Sequence, residues 1–472
     1  MAARVLLVNP WIYDFAAYDF WVKPIGLLQL GAILQQLGYR VELLDCLDRK
    51  DPDLGTFDPK NITQSKVDGS GHFLRVEIEK PDILGHIPRK YCRYGLPLEL
   101  VRQRLECMAR PEVILLTSGM TYWYPGVIAI KQLLRRYFPK TPIILGGIYA
   151  TLCPDHAGRH VAPDFLIAGE GERSAIQLVA SLNGGKGRNF DFQSLDDLPF
   201  PAMDLYPKLE SIALLSSRGC PNFCSFCAAK RMAPRYRRRT PHHVIEEMGH
   251  WHLRHGVDHF AFFDDALLHQ SNDYFKPILR EIAIRGWRFK MHFPNGLQPR
   301  HIDAELAKLF VQTGCETIRL SFETVNPERQ QSMSAKVTAI ELEKALNHLE
   351  QAGFERHRVA VYVLMGLPDQ DYDEVAQSVQ YVVRLGTRVS LASYSPIPGT
   401  VDYERAVASG LWDDADPVLS NSTIFPLWSK IYGYQRCEEL VNWAKAMNQT
   451  VLYQSINERS AVSEEKTHHF AM

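Results

Sequence analysis

The sequence predicts an α/β chain in three parts: a doubly wound parallel sheet over residues 1–185, a partial parallel (β/α)6 barrel over 211–400, and a helical C-terminal region over 401–472. Three observations carry that prediction. Short β-branched apolar runs alternate with segments of helical period up to residue 172, the alternation restarts after a break, and the pattern beyond 400 is amphipathic and helical. A chain of 472 residues exceeds one hydrophobic core, and its 46% hydrophobic residues are enough to fill two.

The first strand is "RVLLV" (4–8), ended by Asn9-Pro10; "PIGLLQLGAILQQLG" (24–38) then carries Leu27, Leu30, Leu34 and Leu37 at helical spacing, with Gly38 as the stop. "VELLD" (41–45) is the second strand. Residues 47–95, rich in Asp, Lys, Gly and Pro, hold no sustained period and read as an insertion with at most a short strand at "FLRVEIE". A helix near 97–109, the strand "EVILLTS" (112–118), a helix over 125–138, and the strands "PIILGG" (142–147) and "DFLIAGEGE" (164–172) complete the series. Ligands of such sheets sit beyond the strand C-termini. The segments leaving there carry Trp11, Tyr13, Tyr18, Trp21, Tyr122, Trp123 and Tyr124, which either stack on a planar ligand or join the core.

A Gly/Asn-rich break at 183–191 and a Pro-containing linker (186–210) precede the second series. Its strands are "IALLSSRG" (212–219), "DHFAFFDD" (258–265), "RFKMHFPNG" (288–296), "TIRLSFET" (317–324), "RVAVYVLMG" (358–366) and "RVSLASYSPIPG" (388–399), with five helices between them. Six such units make a barrel two short of eight, with its active site at the strand C-termini.

Lys+Arg total 53 and Asp+Glu 54, so no global field draws in nucleic acid or a membrane surface. The apolar run before Asn9-Pro10 is too short for a signal sequence, and no run approaches the ~18 apolar residues of a membrane span, so a cytoplasmic location is expected. Of nine cysteines, six stand singly. The other three, Cys220, Cys224 and Cys227, fall within eight positions in "SSRGCPNFCSFCAAKRM" (216–232).

Structural zinc takes four Cys or His ligands, and no second pair follows here; a redox Cys-x-x-Cys at 224 and 227 leaves Cys220 idle. Three thiolates on one loop after a strand can also bind three irons of a cubane and leave the fourth open. The spacing and the aromatic Phe226 before the last cysteine resemble the cluster loop of the radical SAM superfamily. The resemblance implies a [4Fe-4S] cluster whose open iron is chelated by S-adenosylmethionine (SAM), cleaved by one electron to a 5′-deoxyadenosyl radical. It also implies a one-electron donor of flavodoxin or ferredoxin type.

Strand ends of the barrel then supply SAM-binding candidates. Asp264 and Asp265 in "FFDDALL" offer acceptors for an ammonium, or alternatively cap a helix. Ser321 and Glu323 in "SFET", two apart, are predicted to share a face. Gly366 in "VLMGLPDQ" permits close backbone approach, Pro396 lies in "SYSPIPGT", and Asn295 is a lesser candidate. The basic run "RYRRR" (235–239) reads as a solvated stretch, with Arg237 or Arg239 as possible anchors for an acidic group.

The doubly wound domain is similar to the Rossmann-like, cobalamin-binding domain that precedes the barrel in one branch of that superfamily. The resemblance rests on "VLLVNP", "PIGLLQLGAILQQLGYRVELLD", "ILGGIYATLCP" and "DFLIAGEGE". It implies cobalamin contacts from Ser118, Met120, Thr121 and Tyr122, from Gly146, Gly147, Tyr149 and Thr151, and from Gly169, Glu170 and Gly171. Residues 1–71 lack histidine, so an axial ligand from the first loop is not expected. The implied activity is cobalamin-dependent methylation of an unactivated carbon in a small molecule or peptide. The alternatives are radical cyclisation, oxidation or rearrangement, and a non-catalytic iron–sulfur or zinc protein. A nucleic-acid substrate is disfavoured by the near-zero charge and the lack of a recognisable C-terminal RNA-binding barrel.

Overall fold

The computed structural model describes residues 2–57, 65–183, 190–334, 336–413 and 416–469, with side chains described to residue 453. Five parallel strands form the first sheet: β1 (Arg4–Asn9), β2 (Arg40–Asp45), β3 (Val113–Leu116), β4 (Ile143–Leu145) and β5 (Phe165–Leu166), in the order β5-β4-β3-β1-β2. Period-two alternation divides the side chains of β1. Val5 and Leu7 pack with Leu27, Ile33, Leu34 and Val179 from helices Ile25–Gln36 and Glu172–Asn183. Leu6 and Val8 pack with Leu100, Val101, Val127 and Ile130 from helices Leu98–Cys107 and Tyr124–Tyr137. Covered on both faces, these strands are apolar throughout their centres, and each fully buried Leu or Val contributes about 1.5–3 kcal/mol. Strand order reverses between β1 and β3, which places the binding crevice of the sheet beyond their C-termini.

The insertion carries more regular structure than its sequence indicates. Ile12–Asp14 pairs with Cys92–Tyr94, which pairs with Arg75–Glu77, and Tyr18–Asp19 pairs with Gly71–His72. Strands of two or three residues are too short to register a period. Residues 58–64 of the insertion, and 184–189 of the expected break and linker, lie outside the described residues.

Six parallel strands follow: β6 (Ser211–Leu214), β7 (His259–Phe262), β8 (Lys290–His292), β9 (Ile318–Glu323), β10 (Val359–Met365) and β11 (Arg388–Ser393). They pair as β6-β7-β8 and β9-β10-β11, and bridges His292–Thr317 and Leu297–Leu320 join the halves into one arc. The expected strand 212–219 stops at Leu214, because Ser217–Arg218 turns away to pair antiparallel with Arg237–Arg238. Helix Tyr434–His469 covers the last edge, where the Asn448 side chain accepts from Val389 N–H and donates to Val389 C=O, both at 2.8 Å. That side chain supplies the edge strand with the partners a neighbouring strand would have given.

Between the barrel and this helix, residues 416–424 lie on the N-terminal domain. Their anchor is Asp14, a buried carboxylate that accepts from Trp123 Nε1 (2.7 Å), Asn421 Nδ2 (2.9 Å) and Thr423 Oγ1 (3.2 Å). Among the described residues no helix is long and apolar enough to cross a membrane.

Candidate active site

The cysteine loop is fixed at both ends and in its middle. The Ser217–Arg218/Arg237–Arg238 ladder closes its base. Gly219 enters at φ +77°, and a Cβ there would stand 2.7 Å from Arg235 C=O and 2.8 Å from Ala233 C=O, so only glycine fits. At the centre, Ser225 Oγ donates to buried Asp402 at 2.6 Å, Asp402 N–H returns to Ser225 C=O at 3.0 Å, and Ser225 N–H donates to Met333 C=O at 2.9 Å. Phe226 packs against the cluster of Met333, Tyr394, Tyr403 and Trp412.

Around this frame, Cys220 is buried, Cys224 half-buried and Cys227 partly open to solvent. Desolvation raises the Cys220 thiol, and the neighbouring Asp265 and Cys224 add to it. Although Cys227 reaches the surface, desolvation at its sulfur dominates and pushes the thiol up to about 11, with Cys224, Asp265 and Cys220 adding. Both thiols are therefore protonated at neutral pH without metal, and ligation releases their protons. Ala229 N–H lies 3.4 Å from Cys227 Sγ, a bond of the kind that tunes a cluster's potential. Among the described residues no three His, Cys, Asp or Glu side chains converge as a single metal ion requires. Three thiolates on one loop can serve three separate irons of a cubane, one each.

The two predicted aspartates separate. Asp264 is buried, takes Ser216 Oγ at 2.7 Å, Ser217 Oγ at 2.5 Å and Ser216 N–H at 3.2 Å, and so braces the strand before the cysteines rather than facing the crevice. Asp265 does line the crevice; desolvation, then the Asp264 charge, pushes its carboxyl up to about 6. Asn295 is exposed and donates to Phe263 C=O at 2.7 Å. Ser321 and Glu323 do not follow simple alternation: a bulge separates them, and Glu323 sits at φ +73°. This left-handed residue is costly for a non-glycine and is held by Lys336, whose Nζ lies 3.0 Å from its carboxylate. Desolvation opposes the charge of deeply buried Lys336, but Glu323, Cys224 and Cys227 outweigh it and raise its pKa. No sequence signal singled out Lys336, a lone lysine in a polar stretch.

Gly366 (φ +91°) is buried beside Trp428, whose buried Nε1 has no hydrogen-bond partner among the described residues. Pro396 lines a small cavity shared with the C-terminal segment instead of the crevice.

The main crevice, of ≈ 460 Å³, opens at the switch point of the first sheet and runs to the cysteine loop. Ser118, Gly146, Gly147, Gly169, Glu170 and Gly171 form one wall; Arg218, Gly219, Ala233 and Asp265 belong to the other. A Cβ on Gly169 would meet nothing within 4 Å, and on Gly146 only Ile167 C=O at 3.7 Å, so that wall is open backbone that a flat macrocycle can approach. Met120, Thr121, Tyr122, Tyr149 and Thr151 do not line it. Thr121 and Tyr122 meet Ser420 and Ser422, Tyr149 OH meets His156 Nδ1 at 2.6 Å, Thr151 Oγ1 bonds Gly147 C=O, and Met120 is surface-exposed. Of the seven aromatic residues on the loops, Trp11, Trp21 and Trp123 also touch cavities, while Tyr122 and Tyr124 serve the contact with the C-terminal segment. The basic run is structural too: Arg237 pairs with Glu170 and Arg239 with buried Glu247.

Fold and site together define a class of enzyme: a parallel half-barrel with a three-cysteine loop at its mouth, faced by a doubly wound domain across an open crevice. Residues 214–382 match the radical SAM superfamily, and the cofactors that match implies are a [4Fe-4S] cluster and SAM. An uncharacterized methyltransferase of Pyrococcus horikoshii is 23% identical over 332 residues, 64% of this chain and 70% of the relative. An anaerobic magnesium-protoporphyrin IX monomethyl ester cyclase of Synechocystis is 26% identical over 252 residues, 47% of this chain and half of the cyclase. The structure of TsrM, a radical SAM methyltransferase from Kitasatospora setae, with cobalamin and a [4Fe-4S] cluster bound, superimposes with a TM-score of 0.62 at 20% identity, covering 88% of this chain and 80% of TsrM. That likeness extends the shared fold across both domains.

Proposed function

We propose that the protein is a cobalamin-dependent radical SAM methyltransferase acting on an unactivated carbon of a small molecule or peptide. The observation that carries the reading is the single crevice bounded by the glycine edge of the doubly wound sheet and by the cysteine loop. The names of the P. horikoshii relative and of TsrM support methyl transfer.

In this reading Cys220, Cys224 and Cys227 ligate three irons, and the absence of a fourth protein ligand leaves room for SAM. A reduced cluster with SAM supplies a radical able to abstract hydrogen from carbon, and cobalamin supplies a transferable methyl group. Asp265, Glu323 and Lys336 bind the charged end of SAM, and Gly366 with the Trp428 N–H receives its adenine side. Gly146, Gly169 and Gly171 admit the macrocycle. Apolar walls, including Leu27, Leu30, Leu115 and Trp123, keep water from a reactive intermediate. A flavodoxin- or ferredoxin-type protein delivers the electron.

The test is anaerobic reconstitution with iron, sulfide, hydroxocobalamin and SAM under a reductant. Formation of both S-adenosylhomocysteine and 5′-deoxyadenosine is expected. Failure to bind any corrinoid sinks methyl transfer. The similarity to the Synechocystis cyclase favours one second reading, radical cyclisation, in which 5′-deoxyadenosine appears without S-adenosylhomocysteine.

A further inference from the structure

A second cavity, of ≈ 380 Å³, lies at the other end of the barrel. Ser211, His259 and Lys290, which begin β6, β7 and β8, line it, whereas the cysteine loop and Asp265 follow the C-termini of β6 and β7. Four-residue strands at about 3.3 Å per residue put the two ends roughly 10 Å apart through the sheet alone. The far wall comes from the insertion. Arg49 fastens it, donating to Asp19 at 2.7 Å and to Gly69 C=O at 2.9 Å, while Trp21 Nε1 donates to Asp68 C=O at 2.8 Å. The Trp21 ring stacks on buried His292 with centroids 3.8 Å apart, closing the barrel end as a floor.

The charge of the lining is unbalanced. Six cations, Lys23, Arg49, Lys50, Lys66, Lys208 and Lys290, face three carboxylates. Each carboxylate is already engaged: Asp19 by Arg49, Glu210 by both Lys50 and Lys208, and Asp258 by His252 at 2.9 Å. Lys23 has Asp48 at 3.8 Å. Among the described residues no carboxylate pairs with Lys66 or Lys290. Lys66 makes a cation–π contact with Tyr18 at 5.0 Å. Uncompensated cations around a concave site raise a positive potential in its interior.

We propose that this cavity binds a small molecule bearing a diphosphate, held between Lys66 of the insertion and Lys290 of the barrel. Two separated point charges suit a two-centred anion better than a lone carboxylate, and ammonium groups on flexible stems recognise phosphate as point charges. Its volume admits a diphosphate with a small organic substituent. Lys23 lines both this cavity and the main crevice, but Lys66 and Lys290 do not line the crevice, so the assignment does not depend on the methyl-transfer reading.

The test is calorimetric titration of pyrophosphate into the anaerobically reconstituted full chain saturated with SAM. Saturable binding of one pyrophosphate per chain is expected, weakening as salt rises. Lys66→Ala and Lys290→Ala should each weaken it about tenfold, and Lys290→Glu more, while SAM cleavage and circular dichroism stay as in the unaltered enzyme. Absence of saturable heat, competition by SAM, or unchanged affinity in the Lys66→Ala/Lys290→Ala double variant overturns the proposal.

Discussion

Replacing Ser225 by alanine removes the hydroxyl that donates to Asp402 between the second and third cysteines. Asp402 is 3% exposed, and its remaining side-chain partner is Arg405 at 3.0 Å, on the solvent side. A hydrogen bond to a buried charge contributes about 1.5–3 kcal/mol, which corresponds to a change of about 10- to 150-fold in the local opening equilibrium. Cluster-loop amides in the metal-free protein should therefore exchange faster by about that factor, while amides in the doubly wound sheet keep their rates. Iron bound after reconstitution should fall with it. The pairing is tested by a cycle through Ser225→Ala, Asp402→Asn and the double variant, with an expected coupling of at least about 1 kcal/mol. Unchanged exchange in the loop, or coupling below about 0.5 kcal/mol, would refute the idea that this bond shapes the loop before metal arrives.

Gly219→Ala places a Cβ against two carbonyl oxygens at positive φ and should cost at least about 2 kcal/mol, read as lost cluster absorbance in an otherwise folded protein. Cys220→Ala, Cys224→Ala and Cys227→Ala should each abolish SAM cleavage, whereas Cys315→Ala, in the barrel core, should leave cluster absorbance intact. His292 is held neutral: burial, then neighbouring His259, lowers its pKa from 6.5 to about 3. Between those values the unfolded chain binds the extra proton, so this contribution is complete above about pH 6.5 and is lost as pH falls toward 3, at up to about 1.4 kcal/mol per unit. Urea unfolding of the metal-free protein between pH 7 and 5 should lose this slope in His292→Gln; an identical slope refutes the assignment.

What the sequence made legible follows from the range of each interaction. Cysteine spacing and strand–helix alternation are local patterns, and they located the three-cysteine loop and both sheets. The bulge before Glu323 could not be read that way, because its register depends on the pairing of β9 with β10 rather than on residue type. Lys336 matters through a carboxylate thirteen positions back and through cysteines more than a hundred positions away. Tyr122 and Tyr124 looked like crevice residues because their partners, Ser422 and Asp416, lie about 300 positions along the chain. Asp264 lies two residues beyond the end of β7, and its role was decided by two serines that follow the end of neighbouring β6.

Asp14 gives the molecule a timetable. Its partner Asn421 is 407 residues downstream, and at 5–20 residues per second synthesis of the intervening chain takes roughly 20–80 s. For that interval the nascent N-terminal domain holds a carboxylate whose last donors have not been made. Docking of residues 416–424 is thus a late assembly step, and an Asn421→Ala chain should show its defect in folding yield during synthesis before it shows one in the finished enzyme.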